Sequence, residues 1–196
     1  MIFKRKIYDE LLRWKRTDEG RTAVLIQGAR RVGKSTVAEE FATNEYDTHI
    51  LVDFAACSSE IRDLFNDVSD LNRIFMRLQL EYGIELKERK SAIIFDEVQL
   101  APKARQAIKY LVKDGKYDYI ETGSLISIRK NVKDILIPSE EVKVHMFPMD
   151  YEEFKWALGD TATIKLLQSC FHNRTSLGDA TNRELMRDFR LYMLIG

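Results

Sequence analysis

The segment from Val24 to Thr36 constrains the fold of this chain more than any other stretch. It reads Val-Leu-Ile-Gln-Gly-Ala-Arg-Arg-Val-Gly-Lys-Ser-Thr, so an apolar strand runs directly into Gly-x-x-x-x-Gly-Lys-Ser and then into a helix. Gly28 and Gly33 allow the backbone to turn so that successive N–H groups face one anion, and the helix start adds the positive end of its dipole. The spacing predicts a phosphate-binding loop; the alternative is a glycine-rich turn without a ligand.

The predicted nucleotide-binding segment comprises nine consecutive residues: Gly28, Ala29, Arg30, Arg31, Val32, Gly33, Lys34, Ser35 and Thr36. Lys34 is expected to bridge the β- and γ-phosphates as a catalytic cation, and Ser35 to ligate Mg²⁺. Two interpretations stay open for Arg30 and Arg31, which either contact phosphates or a neighbouring subunit, or are solvated loop side chains.

A second motif follows in Ser91–Glu97, a continuous apolar strand that ends in two acids. Such a strand is typical of a parallel sheet covered on both faces. We expect Asp96 to hold the Mg²⁺ shell, largely through water, and Glu97 to orient and polarise the attacking water. The alternatives are a strand end with two capping acids, or a P-loop kinase, which excludes water and has less use for Glu97.

Alternating strands and helices predict a mostly parallel, five-stranded α/β sheet with helices on both faces, the P-loop NTPase class. The predicted strands lie at about 22–27, 49–54, 91–97, 117–122 and 142–147. The predicted helices lie at about 4–16, from the loop to 43, at 58–82 with a break near 68–70, and at 102–114. Residues 1–150 are therefore expected to form the nucleotide-binding domain.

Beyond residue 150 the pattern is helical. Asp150 is predicted to cap a helix over 151–158, and further helices are expected near 161–172 and 182–194. We expect residues 151–196 to be a helical extension of the domain.

Overall composition excludes little, but it gives no support to a nucleic-acid or membrane partner. The 31 basic and 31 acidic residues balance, and no apolar run approaches the roughly 20 residues of a membrane span. The N-terminus lacks a secretory signal, so a cytoplasmic location is expected. Cys57 and Cys170 lie far apart, without partners at metal-ligand spacing, which suggests neither a zinc site nor a disulfide.

Taken together, the motifs resemble the AAA-like P-loop ATPases of prokaryotes, of the additional-strand class, in the group whose phosphate loop reads close to Gly-Ala-Arg-Arg-Val-Gly-Lys-Ser. The resemblance extends to Ile93–Gln99, Glu121–Leu125, 137–141 and Phe147–Phe154. It implies Mg²⁺-dependent binding and hydrolysis of ATP. Adenine is expected over guanine, because the chain also lacks an Asn-Lys-x-Asp motif.

In that class the fourth strand supplies a polar sensor between the γ-phosphate and water. Thr122 is the favoured candidate and Ser124 the second, with plain turn residues as the alternative. Asp53 either contacts Mg²⁺-bound water or the base, or closes its strand against a helix end. In the family the region of 191–196 leads into a C-terminal domain, so the chain is expected to be an ATPase module truncated before its effector domain.

Two departures from a standard AAA motor bear on function. An arginine finger after strand four is not obvious, except for Arg129, and no sensor-two lid is recognisable in 151–196. Two functions therefore remain: an ATPase acting through Lys34, Glu97 and Thr122, or a slow nucleotide-gated switch for a protein or DNA partner. A homo-oligomer or protein partner stays open, nucleic acid is unsupported, and no membrane partner is expected.

Overall fold

The computed structural model describes residues 3–124 and 139–195. The chain divides into two compact units. One is Ile7–Met146, and the other joins Met1–Lys6 to Phe147–Gly196.

The first unit is built on one parallel sheet with the strand order β2-β3-β4-β1-β5. Every described strand pair is parallel, which confirms the predicted fold class. The strands are β1 (Ala23–Gly28), β2 (Thr48–Asp53), β3 (Ser91–Asp96), β4 (Asp118–Ser124) and β5 (Glu141–Met146).

One helix precedes β1, others lie in the connections from β1 to β4, and together they cover both faces of the sheet. They are α1 (Ile7–Asp18), α2 (Lys34–Glu45), α3 (Ser59–Asp63), α4 (Leu71–Tyr82) and α5 (Pro102–Asp114), with 3₁₀ turns at Leu64–Asn66 and Val98–Leu100. The predicted break near 68–70 is confirmed, and the Asp70 carboxylate caps α4 by accepting from the Arg73 N–H. Helix α5 ends at Gly115, whose φ of 73° suits glycine.

Helix α1 begins at Ile7, three residues later than predicted, because the residues before it pair within the other unit. Arg5 donates to the carbonyl of Phe147 at 2.7 Å, and the backbone N–H of Lys6 donates to Glu153 at 2.7 Å. Because of these contacts, residues 4–6 are not part of the helix that the sequence pattern predicted at 4–16.

Alternate strand residues build two apolar layers, since successive side chains in a strand point to opposite faces. Leu25, Phe95 and Tyr119 pack with residues of α3, α4 and α5. Ile26 and Ile94 pack with residues of α1 and α2 on the other face. The sheet is thus buried between two helical layers.

The second unit contains α6 (Tyr151–Ala157), α7 (Thr163–Asn173) and α8 (Asp179–Ile195). Asp150 caps α6 in a capping box with Glu153, as its position predicts. Lys155 of α6 lies 2.8 Å from Asp188 of α8, and Tyr151 stacks edge-on against Phe189. Helix α8 starts three residues earlier than expected, after Gly178. In the described part of the chain, none of the helices has the length and apolar character needed to cross a membrane.

Candidate functional site

The carboxyl ends of the parallel strands meet at one edge of the sheet, where ligands of open α/β sheets bind. Strand β4 lies between β1 and β3. In this register Thr122 is opposite Ile26 of β1, and Glu121 is opposite Phe95 of β3. Thr122 is therefore the strand residue that flanks both the phosphate loop and the acidic strand end.

The phosphate loop has a backbone that only particular residues allow. A Cβ on Gly28 would lie 2.1 Å from the carbonyl oxygen of Met146, so this position requires glycine. Arg31 and Gly33 follow with φ of 64° and 93°. Among the described residues, no side chain caps the start of α2, and its first turn contains no acid. The first N–H groups of α2 are thus left for an anion.

Lys34 lies under this loop with a side chain that is almost completely buried. The residue is 5% exposed, and Nζ donates to the carbonyl of Ala29 at 2.8 Å. Burial lowers the pKa of Lys34, while the nearby Glu97 and Asp96 carboxylates raise it in part. A desolvated ammonium held against the loop has the placement and charge needed to bind a phosphate oxygen.

Three side chains and one backbone N–H group meet at the end of β3. Ser35 Oγ donates to Asp96 Oδ1 over 2.6 Å, and Thr122 Oγ1 donates to the same carboxylate oxygen. The Thr122 hydroxyl also accepts the backbone N–H of Glu97 at 3.2 Å. Thr122, which is fully buried, thus ties the two acids together.

Ser35 and Asp96 offer the donor set that suits Mg²⁺, a hydroxyl and a carboxylate oxygen. Among the described residues, no group of three or more His, Cys, Asp and Glu could hold a metal ion. Mg²⁺ commonly binds through one or two protein oxygens, with phosphates and water completing its shell. The pair therefore fits a magnesium ion that arrives with a nucleotide.

The remaining predicted residues lie around this cluster. Ser124 is opposite Gly28 and is buried, while Arg30 and Arg31 are exposed. Asp53 Oδ1 accepts the N–H of Ala55 at 2.8 Å, closing the turn after β2. Arg129 lies outside the described residues.

One polar residue at the site was missed by sequence reasoning. Gln99 is 5% exposed, and its amide Nε2 donates to Glu97 Oε2. Glu97 itself has a φ of 52°, a conformation uncommon for a residue other than glycine. The spacing Asp-Glu-x-Gln was visible in the sequence, but only this backbone turn returns Gln99 to Glu97.

Three buried ionisable side chains lie together on the face of the sheet that packs against α5. Arg105 donates to both carboxylate oxygens of Glu141 at 3.0 to 3.2 Å, and their side chains are 3% and 0% exposed. Glu121 is also fully buried. Burial and the neighbouring Glu141 carboxylate raise the pKa of Glu121 well above its usual range, and Arg105 opposes this only in part.

Residues 20–155 match a family model described as an AAA domain. No curated protein matches the chain significantly. The chain is also similar to many solved structures, among them three that share 12 to 13% sequence identity with it. The Thermotoga maritima RuvB Holliday junction branch migration motor has a TM-score of 0.46, with 80% of this chain and 51% of that chain covered.

The other two solved structures have similar TM-scores. The Pif1 helicase from Candida albicans has a TM-score of 0.45, with 95% of this chain and 48% of that chain covered. C. elegans PCH-2 has a TM-score of 0.44, with 86% and 50% covered. The chain spans about half the length of each of these structures.

Proposed function

Because the chain belongs to the AAA domain family, we propose that it binds ATP with Mg²⁺ and hydrolyses it. The observation that supports this most is the cluster at the end of β3. There Asp96 is held by Ser35 and Thr122, and Glu97 follows directly. A hydrolase needs this combination of a metal-binding carboxylate and a second acid for water.

The phosphate loop binds and orients the triphosphate in this proposal. The N–H groups at the start of α2 receive phosphate oxygens, and Lys34 binds the β- and γ-phosphates. Ser35 and Asp96 would hold Mg²⁺, which neutralises charge on the phosphates when it is bound. Arg30 and Arg31 are exposed at the loop, and a role for them on phosphate or on a neighbouring subunit remains a prediction.

Hydrolysis requires that water attack the γ-phosphorus while the bond to the β-phosphate oxygen breaks. Glu97 would orient the water and accept its proton, and ADP would leave with the electron pair. Thr122 would fix Asp96 and the backbone of Glu97 in the geometry that this needs. Products are ADP and inorganic phosphate, so the chemical balance needs no further reactant.

We propose that the nucleotide state is relayed to an effector domain or protein partner that contacts the helical unit. The exposed apolar side chains of α7 and α8 support this, with Phe171 83% and Leu194 81% exposed. Hydrogen exchange tests it. The peptides of α8 should exchange differently in the ATP-bound and ADP-bound states, and equal exchange in both states contradicts the relay.

Nucleotide binding is tested by thermal unfolding with Mg²⁺ and ATP, ADP or GTP. A ligand at 100 times its dissociation constant stabilises the folded state by about 2.7 kcal/mol. We expect a rise in Tm with adenine nucleotides, and a smaller rise both with GTP and in Lys34→Ala. An unchanged Tm with every nucleotide would contradict the proposed site.

A further inference from the structure

Gln99 is a buried polar residue that the proposed chemistry does not yet use. It lies in the 3₁₀ turn Val98–Leu100, directly after the acidic end of β3. The turn is closed by the N–H of Leu100, which donates to the carbonyl of Glu97 at 2.9 Å, and by the N–H of Ala101, which donates to the carbonyl of Val98 at 3.0 Å. The backbone thus fixes the position of Gln99 relative to Glu97.

Glu97 has an unusual backbone conformation and two hydrogen bonds that fix its position. Its backbone has a φ of 52°, its N–H donates to Thr122 Oγ1 at 3.2 Å, and its carboxylate accepts from the Gln99 amide. A left-handed conformation is sterically unfavourable for a residue other than glycine. Such a conformation persists where the surrounding contacts determine it, and it is concentrated at functional sites.

The contact between Gln99 and Glu97 leaves the carboxylate able to act. Gln99 donates to Oε2, and Oε1 accepts no hydrogen bond within the described residues. A neutral amide orients the carboxylate without adding a positive charge, which would lower the affinity of the carboxylate for a proton. The Glu97 carboxylate also lies close enough to Lys34 to stabilise its positively charged ammonium. Glu97 therefore lies beside the phosphate loop.

We propose that Gln99 is a positioning residue, which holds the carboxylate of Glu97 toward the attacking water and thereby raises kcat. This rests on the proposed hydrolysis of ATP. A hydrogen bond to a charged group contributes about 1.5 to 3 kcal/mol, so its loss should lower kcat about 10- to 100-fold. KM and nucleotide affinity should stay within about threefold, because the described hydrogen bond of Gln99 is to Glu97 rather than to the phosphate loop.

The variants are Gln99→Met, which keeps the length of the side chain but removes the donor, and Gln99→Glu, which places a second carboxylate against Glu97. Both should lose kcat, the second at least as much as the first. Gln79→Met is the matched control. The Gln79 amide donates to the carbonyl of Phe75 at 3.3 Å and accepts from Leu86 at 2.8 Å, so the control loses hydrogen bonds on α4 and should keep kcat.

A double variant decides whether Gln99 acts through Glu97. In the Glu97→Gln background, Gln99→Met should cause no further loss of turnover, whereas an added loss overturns the proposal. Wild-type or faster turnover in both Gln99 single variants also overturns the positioning proposal. The hydrolysis proposal is unaffected by that result if the wild type turns over and Glu97→Gln turns over much more slowly. Absence of turnover in the wild type contradicts both proposals. Unfolding curves by circular dichroism identify any variant that fails to fold. If one of the two Gln99 variants does not fold, the other is used for the test.

Discussion

Ser35 Oγ donates a 2.6 Å hydrogen bond to Asp96 Oδ1, and this contact joins the start of α2 to the end of β3. The two residues would share one magnesium ion, so Ser35→Ala should weaken ATP binding about tenfold in the presence of Mg²⁺. Calorimetric titration with Mg²⁺ and with EDTA checks this. Affinity in EDTA should change little, and Ser35→Thr, which keeps a hydroxyl, should bind as the wild type does. An equal loss under both conditions would place Ser35 outside the metal shell.

Thr122 should act through its hydroxyl. Thr122→Val preserves the shape of a fully buried side chain but removes the contacts to Asp96 and to the N–H of Glu97. We expect kcat to fall about 10- to 100-fold, measured as steady-state phosphate release. Thr122→Ser is the control and should retain kcat within about threefold. Equal rates in the valine and serine variants would assign Thr122 to packing.

Lys34 should contribute mainly to binding of the triphosphate. Lys34→Met keeps the apolar stem and removes the ammonium, so ATP affinity should fall about 10- to 100-fold, as for loss of a charge-assisted hydrogen bond. The exposed Lys165 on α7 supplies the control variant Lys165→Met, which should bind ATP as the wild type does. Unchanged affinity in Lys34→Met, measured by titration calorimetry, would contradict the assignment of the phosphate site.

Glu121 should make stability depend on pH. Burial and the Glu141 carboxylate raise the pKa of Glu121 in the folded state. The protonated Glu121 side chain therefore contributes fully to the free energy of unfolding at a pH below the unfolded pKa. This contribution is lost as pH rises through the folded pKa. Glu121→Gln removes this loss. Urea unfolding at pH 5, 7 and 8.5 should therefore show a variant whose advantage over the wild type grows with pH. A difference that is constant across these pH values would rule out a titrating Glu121.

Replacing only one partner of the buried Arg105–Glu141 ion pair should lower the free energy of unfolding. Glu141→Gln leaves the buried guanidinium without its countercharge, and removal of one partner of a buried pair costs about 3–5 kcal/mol. The double variant Arg105→Met with Glu141→Gln should recover part of this free energy of unfolding. Denaturant titration measures both values, and a single variant that is more stable than the double variant would contradict the role of the pair.

Much of the fold could be predicted from local patterns. The phosphate loop, the acidic strand end, the Pro102 start and Gly115 stop of α5, and the Asp150 cap are all short-range signals. They locate the predicted elements to within a few residues.

The relationships between strands could not be predicted in the same way. Nothing local shows that Glu121, Glu141 and Arg105 meet, because this follows from the order of β4, β1 and β5 and from the packing of α5. The return of Gln99 to Glu97 depends on a positive φ at a glutamate, for which the sequence carries no propensity signal.

Steady-state phosphate release by the wild type and by Glu97→Gln, each with ATP affinity measured in parallel, tests the central claim most directly. A positioned general base contributes about 10²- to 10⁴-fold to a rate. We predict that Glu97→Gln binds Mg²⁺ and ATP within about threefold of the wild type and turns over at least about 100-fold more slowly. Equal turnover by the two proteins, or no turnover by the wild type despite tight binding, would contradict the account of this site as an ATPase.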